Sequence, residues 1–286
     1  HETVSSIKAT PHLYLLGLSF LYSLSVITSG WKTKEGLVFY GVNISDGMWN
    51  VALIRELSNA FPPMHPAIAG IPLKGYHIFY NLLASEFLRI IPVDIIHIHY
   101  HFFPILISVL LIYGLYAVCL RLGMKKNHAM WATGFAVLGG SFSFIVPIFF
   151  HVAASLDDAF GITQPISLLV SPSYAFSLLC IVYGIISFDE YEKSKRIGMG
   201  FVGSLLFGVA VGFKVYAGLM VIPAIFLYAI FILLTKRRWD FFVFALISLT
   251  QQLLPLMVTG SHVINIDSDY GAMSLPLDDK THTGYR

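Results

Sequence analysis

From Ile95 to Leu120 the chain carries no Asp, Glu, Lys or Arg. That run exceeds the roughly 20 apolar residues with which a helix crosses a bilayer. In hydrocarbon only a helix or a closed barrel satisfies its own backbone, so a run of this kind leaves little choice of structure. The pattern recurs at Leu13 to Ser29, Ala129 to Phe150, Ile166 to Phe188, Gly198 to Phe213, Val215 to Thr235 and Phe241 to Val258. Charged residues make up 12% of the chain, against about 25% in a soluble domain. The expected fold class is an all-α polytopic membrane protein with about seven transmembrane helices. A net charge of +2 gives no electrostatic footprint for a nucleic-acid partner. Cys119 and Cys180 both fall inside apolar runs and read as small buried hydrophobes rather than a disulfide or metal pair.

Orientation follows from the basic loops, which stay on the cytoplasmic side. Three short loops qualify: "RLGMKKN" from Arg121, "DEYEKSKR" ending at Arg196, and "KRR" from Lys236. The connection from His151 to Pro165 has no Lys or Arg and is expected outside. These assignments alternate along the chain, so the first span runs from inside to outside. The whole stretch 30–94 then becomes one external loop. The expected domain plan is a transmembrane unit over 1–258 that includes this loop, with an external tail over 259–286 belonging to a longer protein.

Within the loop, "YHIFYNLLASEFLRII" is apolar enough to suggest another span, but one more crossing would put every basic loop outside. Its periodicity points instead to a helix lying in the interface. His77, Asn81, Ser85 and Arg89 form a polar line, opposed by Phe79, Leu83, Phe87 and Ile90. A second juxtamembrane helix is expected in "SDGMWNVALIRELSNAF", with Ser45 as its cap. Trp49, Leu53, Leu57 and Phe61 share one face of it. Pro62, Pro63, Pro66 and Pro72 stiffen the connector between the two helices. Further on, Gly200, Ser204, Gly208 and Gly212 recur every four residues, a spacing that lets membrane helices approach closely. That span breaks at Lys214 and the next begins at once.

Several residues could carry chemistry. Asp46 starts the first external helix, where a carboxylate also serves simply to stabilise the helix N-terminus. Lys74 and Lys214 could neutralise a phosphate; a lysine at a helix end also snorkels to headgroups, but one set within membrane spans is a functional candidate. His77, on the polar line, could contact phosphate or substrate. "HIHYH" at His97, His99 and His101 suggests metal ligands or histidines at a helix start, and the latter fits better because His99 points away from the other two. Asp157 and Asp158 in "SLDDAF" could hold Mg²⁺ or Mn²⁺ or orient sugar hydroxyls, or form a solvated turn.

With these residues together, the sequence resembles the GT-C superfamily of integral-membrane glycosyltransferases, in the branch around aminoarabinose transferases and protein O-mannosyltransferases. The matching features are a first span followed by "SDGMWNVALIREL", then the proline-strapped "GIPLKGYHIFYNLLASEFLRI", then the glycine-rich span meeting a lysine, "GVAVGFKVYAGLMVIPA". Here "DGMW" replaces the usual acidic-aromatic start. The resemblance implies inverting transfer of a sugar from a polyprenyl-phosphate donor to a lipid, glycan or protein acceptor on the outer face of the plasma membrane. It also implies Asp46 as general base, with Lys74, Lys214 and His77 on the donor phosphate. Some branches need a divalent metal and others do not. A transporter or flippase for a lipid-linked substrate, or a non-catalytic envelope-assembly scaffold, would use similar residues, though a transporter should show inverted repeats, which the chain lacks.

Overall fold

A computed structural model describes residues 3–39, 45–139, 158–159, 162–163, 169 and 171–258 of the 286. Its helices, in chain order, are α1 (Thr3–Ile27), α2 (Ser45–Asn59), α3 (Phe79–Ile90), α4 (Ile95–Arg121), α5 (Lys126–Leu138), α6 (Pro172–Ser194), α7 (Ile197–Phe213), α8 (Val215–Lys236) and α9 (Asp240–Val258). Two small antiparallel ribbons accompany them. In one, β1 (Trp31–Lys32) pairs with β2 (Leu37–Val38); in the other, β3 (Asp158–Ala159) pairs with β4 (Ile162–Thr163).

Helices α4, α6 and α8 are each long and apolar enough to cross a membrane. Pro11–Ile27 of α1, the whole of α7, and Asp240–Leu253 of α9 are shorter apolar segments. The chain is thus a nearly all-α membrane-type protein. Of the expected seven spans, three are long and apolar enough to cross a membrane among the described residues.

Helix boundaries follow local chemistry. The α4 start is capped by Asp94, whose Oδ1 accepts from the Ile96 amide at 2.7 Å. One π turn, Ile98–Phe102, interrupts α4. The span expected over Ile166 to Phe188 instead runs from Pro172 to Ser194. Pro172 sits in its first turn, where a missing N–H costs nothing. The charged stretch at its far end stays helical because its acids are paired across the bundle. Arg121 meets Asp189 at 2.9 Å, Lys236 meets Glu192 at 2.8 Å, and Arg238 meets Glu192 at 2.7 Å.

These ion pairs gather the three basic loops at one end of the bundle: Arg121 comes from the first, Asp189 and Glu192 from the second, and Lys236 and Arg238 from the third. The helices α7 and α8 run away from that end and back, so Lys214, between them, lies at the other. The described parts of the segment between α1 and α4, with α2 and α3, also belong to the Lys214 end, because that segment joins the last residue of α1 to the first of α4. Ser29, just past α1, accepts from His101 Nε2 in α4 at 3.0 Å, which fixes that junction.

The four-residue glycine stripe of α7 does what its spacing predicts. A Cβ at Gly200 would run into the Phe244 ring of α9, and one at Gly208 into Gln251 of α9. Between them Ser248 Oγ donates to the Ser204 carbonyl at 3.1 Å. A second close approach, on the other side of α7, joins it to α6: a Cβ at Gly203 would overlap Phe188 and come within 3.3 Å of the Gly184 carbonyl oxygen.

Two details of the external segment differ from the sequence expectation. The polar line of α3 turns inward: Asn81 and Ser85 are fully buried, whereas Ile90 is 78% exposed. The reason is that α3 meets α2 through Asn81, which bonds to Asn50, as well as through Phe79 and Leu82, which pack with Leu53 and Leu57, and this leaves Ile90 outward. Phe61 is exposed at 57%, because α2 ends at Asn59 and Phe61 no longer follows the helical face that buries Leu53 and Leu57.

Candidate functional site

Three separate segments meet at the Lys214 end. The first is the start of α2. Its second residue, Asp46, is exposed, and the helix beneath it is held by a chain of amides. Asn50 Nδ2 donates to the Asp46 carbonyl at 2.8 Å, and Asn81 Nδ2, from α3, donates to Asn50 Oδ1 at 2.9 Å. Gly47 is buried against the Tyr100 ring of α4, with no room for a Cβ. The dipeptide Asp46-Gly47 therefore sets a carboxylate at the surface on a turn clamped from two sides.

The second segment is the proline strap. It closes on itself: the Leu73 amide donates to the Pro63 carbonyl at 2.9 Å and the His65 amide to the Ile71 carbonyl at 2.8 Å. It delivers a row of rings, in which Trp49 of α2 meets His65 edge-on at 5.3 Å and Tyr76 at 5.7 Å, while Tyr76 stacks on His77 at 4.3 Å. His77 precedes α3, which begins at Phe79, and so is not part of the helical polar line.

The third segment is the single-residue break between α7 and α8. Lys214 is extended, with φ −154° and ψ 119°. Its backbone remains satisfied, because its amide donates to the Ala210 carbonyl and its own carbonyl accepts from Ala217.

One packing contact brings the second and third segments together. Phe79 lies directly over Gly212, where a Cβ would overlap its ring, and meets Phe213 at 5.9 Å. Two residues before Phe79 is His77; two residues after Gly212 is Lys214. The Lys214 ammonium donates to His77 Nε2 at 3.3 Å. Its Nζ also lies 5.5 Å from the centre of the Tyr216 ring, and Tyr216 in turn meets Tyr174 of α6 at 5.4 Å.

The electrostatics follow from this packing. Burial pushes the His77 imidazole down to about 4, and the Lys214 charge pushes in the same direction. His77 is therefore neutral near pH 7, an acceptor at Nε2 and a donor at Nδ1. Burial also lowers the Lys214 ammonium from the usual lysine range, and the Asp46 carboxylate opposes that lowering. Asp46 is thus close enough to Lys214 for its charge to be felt. The set combines a surface carboxylate, a half-buried cation held by a neutral imidazole, and flanking aromatic faces. It suits an anionic ligand with a polar, ring-shaped portion.

Of the residues singled out from sequence, His77 and Lys214 are in contact, and Asp46 is near enough to Lys214 for its charge to be felt. Lys74 does not join them: it is exposed on the strap, without an ion pair or hydrogen bond among the described residues. Asp157 lies outside the described residues, and Asp158 is described only as part of the β3 backbone. Among the described residues no group of three His, Cys, Asp or Glu side chains could hold a metal ion, so no chemical step is assigned to Mg²⁺ or Mn²⁺. Sequence reasoning missed Trp49, Tyr76 and Tyr216 as site walls, since isolated aromatics in an apolar chain carry no signal of their own. His99, read from the sequence as a histidine at a helix start, is buried and pairs with the hydroxyl of Tyr80 in α3 at 2.6 Å.

The fold and this site define a helical membrane-type protein with a charged, aromatic-lined cluster at one end of its bundle. Comparison of the chain with family models, curated proteins and solved structures gives no match.

Proposed function

We propose that the protein is a GT-C-type glycosyltransferase that moves a sugar from a polyprenyl-phosphate donor to an acceptor on the extracytoplasmic face of the membrane. The observation that carries this reading is the convergence of Asp46, His77 and Lys214 from three distant segments, at the end of the bundle opposite its basic loops. That end is the external one by the positive-inside argument. A donor whose tail stays in lipid presents its phosphate at headgroup depth, where a half-buried ammonium exerts the most force on it.

In this mechanism Asp46 accepts the proton of the acceptor hydroxyl or amine. The acceptor oxygen or nitrogen bonds to the anomeric carbon as the bond from that carbon to the phosphate oxygen breaks, with inversion. The bonding electrons leave on the phosphate, whose growing charge is met by Lys214. His77 holds Lys214 in place by accepting from it, and Tyr76, Trp49 and Tyr216 offer faces to the sugar ring. Lys74, exposed on the strap, would attract the donor at longer range.

The test is transfer of labelled sugar from synthetic polyprenyl-phosphate hexoses and pentoses by the purified full chain. Asp46→Asn keeps size and capping ability but removes the base, and turnover is expected to fall by roughly 10²–10⁴ with donor binding retained. Near wild-type turnover in that variant, or no consumption of any donor by the wild-type chain, overturns the reading.

A further inference from the structure

A second pair of side chains, away from the Asp46 cluster, has the form of a metal chelate. His97 and His101 stand four residues apart on α4, across the π turn, and their Nδ1 atoms are 2.8 Å from one another. His97 is exposed and His101 half-buried. The orientation of His101 is fixed independently. Its Nε2 lies 3.0 Å from the Ser29 carbonyl oxygen, which can only accept, so Nε2 carries the proton and Nδ1 presents a lone pair toward His97. A backbone carbonyl holding the far N–H of an imidazole is the usual outer support of a metal-ligating histidine. Trp31 packs against both rings, at 4.3 Å from His101 and 6.4 Å from His97, and its own Nε1 donates to the Ile27 carbonyl at 2.7 Å, so the arrangement is braced on its outer side.

We propose that His97 Nδ1 and His101 Nδ1 form a two-imidazole chelate for a first-row divalent cation of the Cu²⁺ or Ni²⁺ type. With metal–nitrogen bonds of about 2.0–2.1 Å, nitrogens at this separation subtend an angle of about 90° at the metal. That is the cis angle of tetragonal coordination, which favours Cu²⁺ and Ni²⁺; a tetrahedral Zn²⁺ would need the two nitrogens further apart. In the metal-free pair, neutral His97 donates its Nδ1 proton to His101. On binding, that proton leaves Nδ1 and the ring keeps one at Nε2 by exchange with water, so the metal replaces a shared proton and the charge of the two rings is unchanged. No third His, Cys, Asp or Glu joins the pair among the described residues, which leaves the remaining coordination positions to water or an exogenous ligand. Hard cations such as Mg²⁺ gain little from imidazole and are excluded by the same chemistry.

The test uses the full chain in detergent at pH 7.5. Titration with Cu²⁺ and Ni²⁺ followed by calorimetry is expected to give one site per chain with Cu²⁺ bound more tightly than Ni²⁺. Affinity should fall at least about tenfold in His97→Gln and in His101→Gln, and stay unchanged in His77→Gln and His128→Gln. Bound Cu²⁺ should quench tryptophan emission in the wild type, and Trp31→Phe should remove most of that quenching. Cu²⁺ spin resonance of the wild type, which depends on no variant, should show two equatorial imidazole nitrogens. Equal affinity in wild type and His97→Gln, a spectrum with fewer than two imidazole nitrogens, or the absence of binding overturns the proposal.

Discussion

The His77–Lys214 contact makes a measurable demand on the protein's pH stability. In the unfolded chain an imidazole takes up a proton near pH 6.5; in the folded protein His77 does so only at about 4. Between those values the unfolded state binds more protons than the native state, so native stability falls as the pH is lowered from 6.5 and stops falling from this cause below 4. Each unit of difference corresponds to 1.36 kcal/mol, giving about 3 kcal/mol across the window. Replacing His77 with Gln removes the titrating group but leaves a side-chain oxygen that can still accept from Lys214. The assay is unfolding of the detergent-purified protein at half-unit steps from pH 4 to 7.5, for wild type and His77→Gln in parallel. Other carboxylates and histidines titrate in both proteins and cancel in the difference. The wild type should lose about 3 kcal/mol more than the variant between pH 6.5 and 4, with the two curves parallel above 7. Curves parallel over the whole range would mean that His77 is solvated and charged in the native state, and would remove the neutral acceptor from beneath Lys214.

Three further outcomes follow from the packing. Lys214→Ala should weaken use of a polyprenyl-phosphate donor more than Lys74→Ala, since charge is screened less at the half-buried position; donor titrations of both variants check this. In a background without Cys119 and Cys180, a cysteine at Ala67 should react with an impermeant thiol reagent on intact cells and one at Asn127 should not; the reverse pattern would place the cluster on the cytoplasmic side. Gly203→Leu should cost about 1–3 kcal/mol by forcing Phe188 and the Gly184 backbone away, while Gly198→Leu, whose Cβ would meet nothing within 4 Å, should leave the melting temperature near that of wild type.

Much of the site was legible in the sequence because it is spelled by exceptions. In a chain with few charges, an Asp after a helix cap and a Lys between two apolar runs stand out; His77 was singled out for a place on the helical polar line, which it does not have because α3 begins at Phe79. The strap's role as a stiff connector was equally plain. The contact that unites these residues was not: His77 and Lys214 are 137 positions apart, and only the seating of Phe79 on Gly212 brings them together. Lys74 shows the converse, since as plausible a residue type as Lys214 lies exposed, apart from the cluster.

The sequence by itself determined that this is a nearly all-α membrane-type chain, because long uncharged runs have few ways to satisfy their backbone in hydrocarbon. It also determined where α7 would be approached closely, because small residues at four-residue spacing clear one face of a helix whatever packs there. The tertiary structure alone decided what fills that face, α9 over Gly200 and Gly208 and Phe79 of α3 over Gly212, and that α3 turns Asn81 and Ser85 inward. Periodicity gives the faces of a helix but not their surroundings. Beside lipid, an apolar face can point outward at no cost, while Asn81 must find a partner, and it finds Asn50. That exchange places α2, and with it Asp46, where Lys214 can feel its charge.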